Sequence, residues 1–239
     1  MMETVYFVGA GPGDPDLITV KGLSLLLRAD VVLYAGSLVN PVLVERSPAA
    51  VKQDSMGMHL SDLVSLMHTH AAAGRRVVRL HSGDPSLYGA IVEQIAGLSA
   101  LSVPVECVPG VSSLVGAAAA LQTQLTLAGV SETLIVTRPA GKTLQQDQIH
   151  ELSRLGATLV VFLGTGLLEE ITAKLACPPD TQAAVVYHAT WQDLQVVTGT
   201  VSDIAARARA AGITRTALLI VGGVVDPARS GFTRSVLYS

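Results

Sequence analysis

The sequence predicts an α/β protein made of two sheet-and-helix units, and three observations carry that reading. Short apolar runs of strand length alternate with stretches of helical periodicity. Loops rich in Gly and Pro follow several of these runs directly, and the alternation restarts after a polar, turn-rich passage near residue 122. The expected domains are therefore residues 1–122 and 123–239.

In the first unit, residues 3–8 form an apolar run that ends in GAGPGD, and 30–34 (DVVLY), 76–80 (RVVRL) and 103–108 (VPVECV) supply three more. Helical patterns fall near 19–28, 60–73, 87–98 and 112–121, so consecutive strands should lie parallel with helices covering the sheet. The second unit begins with 133–137 (TLIVT) and continues through 157–163, 183–187 and 217–222. Helices are predicted near 144–154, 166–176 and 201–211, and 194–200 (LQVVTGT) reads as an extra, antiparallel strand. The tail from 223 onward is less regular, with its final SVLY a candidate packing segment.

Composition narrows the function classes. The 239 residues carry 16 Lys and Arg against 19 Asp and Glu, a formal charge of -3, and only 15% are charged, which excludes a disordered chain and a polybasic nucleic-acid surface. Hydrophobic residues reach 49% while aromatics supply only 4%, so the core is Ala, Val, Leu and Ile. A mean hydropathy of +0.48 prompts a membrane check. The most apolar stretches, 114–121 and 157–168, are shorter than the roughly 18 residues that a spanning helix needs. The first residues, MMETVYFVGAG, show no basic flank or cleavage region, and a cytoplasmic protein without membrane contact is expected. Cys107 and Cys177 lie apart without a CxxC or a neighbouring His, which points to reduced thiols and to no metal site.

Three loops are the candidate chemistry. Gly9-Ala10-Gly11-Pro12-Gly13-Asp14-Pro15 follows a strand, where glycines allow tight turning and turn main-chain N–H groups toward a ligand. It departs from a GxGxxG dinucleotide loop because Pro12 and Pro15 delay the helix to about Thr19. His81-Ser82-Gly83-Asp84-Pro85-Ser86 closes the third strand; Asp84 there suits either a helix cap or a ligand contact. Pro109-Gly110-Val111-Ser112-Ser113 repeats the arrangement, with Ser112 or Ser113 able to cap the next helix. Three such loops at one sheet edge make a pocket. No P-loop, HExxH or GxSxG elbow is present, and the six His residues have no zinc spacing. A pocket that binds an uncharged or zwitterionic cofactor mainly through backbone atoms fits these features better than a hydrolase or metalloenzyme does.

YFVGAGPGDPDLITVKG, ADVVLYAGSLVNP, VVRLHSGDPSLYGA, VPGVSS and ITRTALLIVG together resemble the tetrapyrrole methylase superfamily. The stretch from Tyr34 to Pro41 (YAGSLVNP) is similar to the precorrin-4 C-methyltransferases of cobalamin biosynthesis within it. The resemblance implies a tetrapyrrole methylase fold, a homodimer whose subunits each have two α/β domains, with S-adenosyl-L-methionine in the cleft between the domains. It implies methylation of carbon 11 of precorrin-4 to give precorrin-5, or of the cobalt-containing counterpart; methylation of another precorrin position is the alternative within the same fold, and the YAGSLVNP stretch argues against it. Cofactor contacts implied from the first domain are Pro12, Ser82, Gly83, Asp84, Tyr88, Ser112 and Ser113. From the second they are Leu163, Gly164, Tyr187, His188, Ala189, Thr216 and Ala217. Phe162-Leu163-Gly164-Thr165-Gly166 departs from the FLS reading of relatives, which leaves main-chain contacts at 164 in place of a side chain.

Ser37 and Asn40 are implied substrate contacts, and His81, at the start of its loop, is placed at the same edge by parallel-sheet topology. Ser37 or Asn40 could equally cap the following helix. An activated methyl and an electron-rich ring carbon need alignment more than a nucleophilic side chain, so no catalytic residue is assigned. Candidate docking groups for the substrate carboxylates are Lys52, His59, His81, Arg138, Lys142 and His188. Two competing classes predict otherwise: a nicotinamide-dependent dehydrogenase requires NAD binding, and a scaffold protein requires that the three loops fail to converge.

Overall fold

A computed structural model describes residues 2–234; the SVLY tail lies outside them. The chain divides into two compact units, Met1–Ser113 and Leu114–Ser239. The division falls at the start of a helix, Ser113–Ala120, rather than after residue 122. Just beyond that helix the Thr123 hydroxyl donates to the Val224 carbonyl at 2.7 Å, tying the connecting passage to the second unit.

The first unit contains strands β1 (Val5–Gly9), β2 (Val31–Tyr34), β3 (Val51–Asp54), β4 (Val77–His81) and β5 (Val105–Val108). They form one sheet in the order β3-β2-β4-β1-β5, every pair parallel. Its helices are α1 (Val20–Leu26), α2 (Pro41–Arg46), α3 (Leu60–Ala72) and α4 (Ile91–Ala100). Side chains alternate across the pleat, so each strand feeds two cores. Val8, Val32, Val78, Leu80 and Val108 pack with Leu25 and Leu26 of α1 and Leu43 and Val44 of α2. Val5, Phe7, Val31, Leu33 and Val77 pack on the opposite face with Leu63, Val64 and Met67 of α3 and Leu98 of α4. Thus β1 leads to a helix on one face and its neighbour β4 to a helix on the other, which opens a crevice at their carboxyl ends.

Two elements of this unit escape the sequence pattern. The β3 segment VKQD exposes Lys52 and Gln53 and has the polarity of a sheet edge. Helix α2 has six residues and is set by local chemistry: Pro41 opens it and the Asn40 side chain accepts from Val42 N–H at 3.0 Å. Conversely, the helix predicted from 87 begins only at Ile91, because Tyr88 and Ala90 are left-handed, at φ 57° and 49°.

In the second unit α5 (Ser113–Ala120) precedes strands β6 (Leu134–Thr137), β7 (Thr158–Val161), β8 (Gln182–Tyr187), β9 (Gln195–Thr200) and β10 (Ala217–Val221). The order is β6-β7-β10-β8-β9; β6 and β7 are parallel and the other three pairings antiparallel. The antiparallel β9 matches the sequence reading, and β10 adds two reversed pairings because it runs against both of its neighbours. Helices α6 (Ile149–Leu152), α7 (Leu168–Lys174) and α8 (Ile204–Ala210) bury Ile149, Leu168, Ile171, Ile204 and Ala208 against one sheet face; α9 (Pro227–Ser230) follows β10. The predicted helix from 144 is reduced to α6 and a short 3-10 turn. Asp147 accepts N–H bonds from Ala140 at 2.8 Å and Ile149 at 3.2 Å, and these hold the preceding residues in a loop. Among the described residues no helix is long and apolar enough to cross a membrane.

Candidate functional site

The three glycine loops leave the carboxyl ends of β1, β4 and β5, which are adjacent in the sheet, and they meet. Gly11 N–H donates to the Gly83 carbonyl at 3.3 Å and Gly83 N–H returns a bond to Gly11 at 2.8 Å. A Cβ at Gly9 would stand 2.5 Å from Gly110 Cα and 2.7 Å from the Gly83 carbonyl oxygen. Only glycine allows backbones to pass this closely. The juncture is main chain against main chain, as a scaffold without a site would not require.

Asp84 is the side chain that fastens it. One carboxylate oxygen accepts Gly110 N–H at 2.8 Å, linking the second loop to the third. The other accepts Ser86 N–H at 2.8 Å and the Ser86 hydroxyl. Partial burial works to raise its pKa, but the bonds from the Ser86 hydroxyl and from the Gly110 and Ser86 amides outweigh burial and hold it below the ordinary carboxylate value. Asp84 does not cap α4, which starts seven residues later; it caps the turn in between. Ser112 is buried, and the Gly83 loop reaches the Ser112–Ser113 backbone. Tyr88 is 41% exposed on its left-handed backbone.

The fourth loop at this edge, residues 35–40, follows β2. Asp54 accepts Gly36 N–H and Met56 N–H, each at 2.9 Å, and so braces the turn at Gly36 (φ 44°). The side chain of Ser37 lies outside the described residues. Asn40 uses both ends of its amide internally: it caps α2 and donates to the Gly13 carbonyl at 2.8 Å, joining this loop to the first one. The sequence places His81 at the substrate edge, and the structure buries its side chain there. Its ring is 5% exposed and stacked on Phe7 with centroids 5.8 Å apart, on the sheet face that packs α3 and α4. Burial, with the Arg79 charge beside it, pushes its pKa down to about 3, so it is neutral and docks no carboxylate as a cation. Of the other basic candidates, Arg138 folds back on Thr143, its guanidinium 2.7 Å from the hydroxyl, while Lys52 reaches the Glu45 carbonyl at 3.5 Å.

The second unit has its own edge of unusual backbone. Leu163 follows β7, His188 follows β8 and Thr216 precedes the antiparallel β10, so all three stand at the same end of adjacent strands. Their φ angles are 55°, 47° and 59°. The described chain has eight non-glycine residues at positive φ, and four of them, Tyr88, Leu163, His188 and Thr216, are implied cofactor contacts. Left-handed backbone costs about 1–2 kcal/mol per residue and concentrates at functional sites.

Side chains hold this edge in place. The Thr165 hydroxyl donates to the Ala217 carbonyl and accepts Ala217 N–H, both at 3.0 Å. The His188 ring stacks on Tyr187 at 3.8 Å and on Trp191 at 5.1 Å between centroids, and its Nδ1–H donates to the Asp193 carboxylate at 3.0 Å. That hydrogen bond lowers the Asp193 pKa. Asp54, Thr165 and Asp193 were not legible as site residues; only the five-residue spacing from His188 to Asp193 offered a signal. Among the described residues no group of His, Cys, Asp and Glu has the arrangement to hold a metal ion.

Glycine loops joined at the carboxyl edge of a parallel sheet define an α/β protein of the kind in which such an edge receives small ligands. The sequence profile described as Tetrapyrrole (Corrin/Porphyrin) Methylases matches residues 4–205, and the chain belongs to that family. It is 45% identical over 239 residues to the precorrin-4 C(11)-methyltransferase of Pseudomonas aeruginosa, covering 98% of this chain and 95% of that one. The solved structure of a cobalt precorrin-4 methyltransferase, CbiF, aligns with a TM-score of 0.90 and 42% identity, over 94% of this chain and 96% of that chain. A uroporphyrin-III C-methyl transferase from Thermus thermophilus, solved in complex with S-adenosyl homocysteine, aligns at a TM-score of 0.78 and 31% identity, over 93% of each chain.

Proposed function

We propose that this chain is an S-adenosylmethionine-dependent C-methyltransferase that methylates carbon 11 of precorrin-4 in cobalamin biosynthesis. The observation that carries the reading is the joining of the Gly9–Asp14, Ser82–Asp84 and Pro109–Ser113 loops through their backbones at one sheet edge. S-adenosylmethionine has an uncharged nucleoside and a zwitterionic amino-acid end that main-chain donors and acceptors can hold, and this edge offers such a surface. Pro12, Ser82, Gly83, Tyr88, Ser112 and Ser113 face the cofactor, and Asp84 holds the loops that carry them. The family resemblance also implies Leu163, Gly164, Tyr187, His188, Ala189, Thr216 and Ala217 of the second unit as cofactor contacts, and Leu163, His188 and Thr216 there have left-handed backbone.

When bound, the cofactor supplies a methyl group already activated on a sulfonium. What remains for the chain is alignment and exclusion of water. No side chain of the site is assigned as a general base. The 35–40 loop shapes the substrate edge, with Ser37 its candidate contact; Asn40 and the buried His81 support that edge from within. Lys142 and His59 remain candidate docking groups for substrate carboxylates. The enzyme acts in the cytoplasm, and the homodimer is what the family resemblance implies.

The likeness to CbiF favours one second reading, methylation of the cobalt-containing substrate. Purified protein given labelled S-adenosylmethionine and each substrate in turn separates them: methylation of metal-free precorrin-4 at carbon 11 is the expected result. Turnover of the cobalt form alone selects the second reading, and turnover of neither, with no binding of S-adenosylhomocysteine, overturns both.

A further inference from the structure

Between the Ser82–Asp84 loop and α4 the chain makes a turn that no local preference favours. Tyr88 and Ala90 are both left-handed, and Gly89 between them is so close to the Pro85 carbonyl that a Cβ would overlap it. A non-glycine residue rarely holds this conformation unless its surroundings impose it. The imposing group lies beneath the turn. Gln94, in the first turn of α4 and 5% exposed, donates its side-chain amide to the Ala90 carbonyl at 2.9 Å. The other end of the same amide accepts from Arg79 Nε at 3.3 Å.

Arg79 is equally buried, at 5% exposed, and comes from β4, the strand that ends in the glycine loop. Burial lowers its pKa to about 10 and the Asp54 charge opposes that, so the guanidinium stays cationic near neutral pH. A charged donor orients the Gln94 carbonyl and thereby points the amide N–H end at Ala90. The neutral state of His81 on the same face leaves Arg79 the positive group there.

We propose that Arg79 and Gln94 are positioning residues for Tyr88: the buried guanidinium fixes the Gln94 amide, and the amide clamps the left-handed Tyr88–Ala90 turn in the shape that presents the Tyr88 side chain to the ligand. This rests on the reading of Tyr88 as a cofactor contact.

Gln94→Glu is the discriminating change, since a carboxylate keeps the partner of Arg79 but has no N–H for the Ala90 carbonyl. S-adenosylhomocysteine binding by calorimetry and thermal melting are measured for the wild type, Gln94→Glu, Tyr88→Ala and the double variant, with Gln94→Met, of similar volume, as the replacement if Glu does not fold. Expected are a near-unchanged melting temperature for Gln94→Glu, affinity weakened about tenfold in each single variant, and no further weakening when the Gln94 change is added to Tyr88→Ala. Unchanged affinity in the Gln94 variant, or the same loss with Tyr88 already removed, overturns the relay. Wild-type binding that Tyr88→Ala leaves intact overturns the relay while the cofactor reading stands; no binding by the wild type overturns both.

Discussion

The edges of the two sheets arrive at unusual main-chain geometry by different means. In the first unit, glycines remove the Cβ atoms that would keep backbones apart; the loops after β1 and β4 bond to each other directly, and the loop after β5 packs against them and is tied in by the Asp84 carboxylate. In the second, Leu163, His188 and Thr216 adopt comparable left-handed backbone with their side chains retained, and hydroxyl, carboxylate and ring contacts from Thr165, Asp193 and Trp191 hold that edge. The first solution depends on close packing of backbone and tolerates no added atom. The second stores strain against side-chain clamps, so it should respond mildly to small changes of volume.

The largest expected effect contrasts two glycines, one from each edge. At Gly9 a new Cβ meets only main-chain atoms, with Gly110 Cα at 2.5 Å, and none of them can rotate away. At Gly164 the nearest atom is Ile171 Cδ1 at 2.5 Å, the mobile end of a side chain. Gly9→Ala should cost about 3 kcal/mol in urea unfolding, at the upper end of overpacking penalties, and abolish S-adenosylhomocysteine binding. Gly164→Ala should cost about 1 kcal/mol or less and retain binding. Equal losses at the two positions break the comparison.

The difference also explains what the sequence disclosed. Glycine and proline after an apolar run are visible letters, so the three loops, the parallel first sheet and their meeting edge could be read from GAGPGD, SGDP and PGVSS. Left-handed Leu163, His188 and Thr216 carry no such mark, because none of these residue types signals that backbone as glycine does; only family resemblance pointed to them. Edge strand β3 and helix α2 were hidden from periodicity for a related reason: a polar tetrapeptide and a six-residue helix lack a period. The Asn40 cap could be read locally, but the bonds that tie Asp54 to Gly36 and Asn40 to Gly13 span 18 and 27 positions. The burial of His81 was not legible because position beside a motif says nothing of the sheet face onto which a side chain projects.

Asp84 gives the intermediate effect, as the one carboxylate within the backbone juncture. Asp84→Ala leaves the Gly110 and Ser86 amides without their acceptor and should cost about 2 kcal/mol and weaken S-adenosylhomocysteine binding. Its pKa in the fold is depressed below the ordinary value of 3.8, so its charge contributes stability that is fully present above that value. The contribution is lost as pH falls through the folded pKa. Unfolding of wild type and Asp84→Asn followed from pH 7 to pH 2 should therefore show a constant gap down to about pH 5, closing below pH 4. A gap that widens in acid would mean that Asp84 is not the stabilised anion described.

The smallest effect tests whether the second edge is strained at all. Leu163 is 64% exposed, so its side chain contributes little burial, and its φ of 55° carries the cost of left-handed backbone. Leu163→Gly removes that cost, about 1–2 kcal/mol, while it adds the greater freedom of glycine in the unfolded chain, about 0.5–1 kcal/mol. The net expectation is a stabilisation of about 0.5 kcal/mol, visible as a higher urea midpoint with an unchanged slope. The corresponding change at a relaxed, exposed strand position such as Val196, on β9, should destabilise, because glycine weakens a strand without relieving anything. If Leu163→Gly destabilises as much as Val196→Gly, the Leu163 backbone is not strained, and its part in the contrast between the two edges falls.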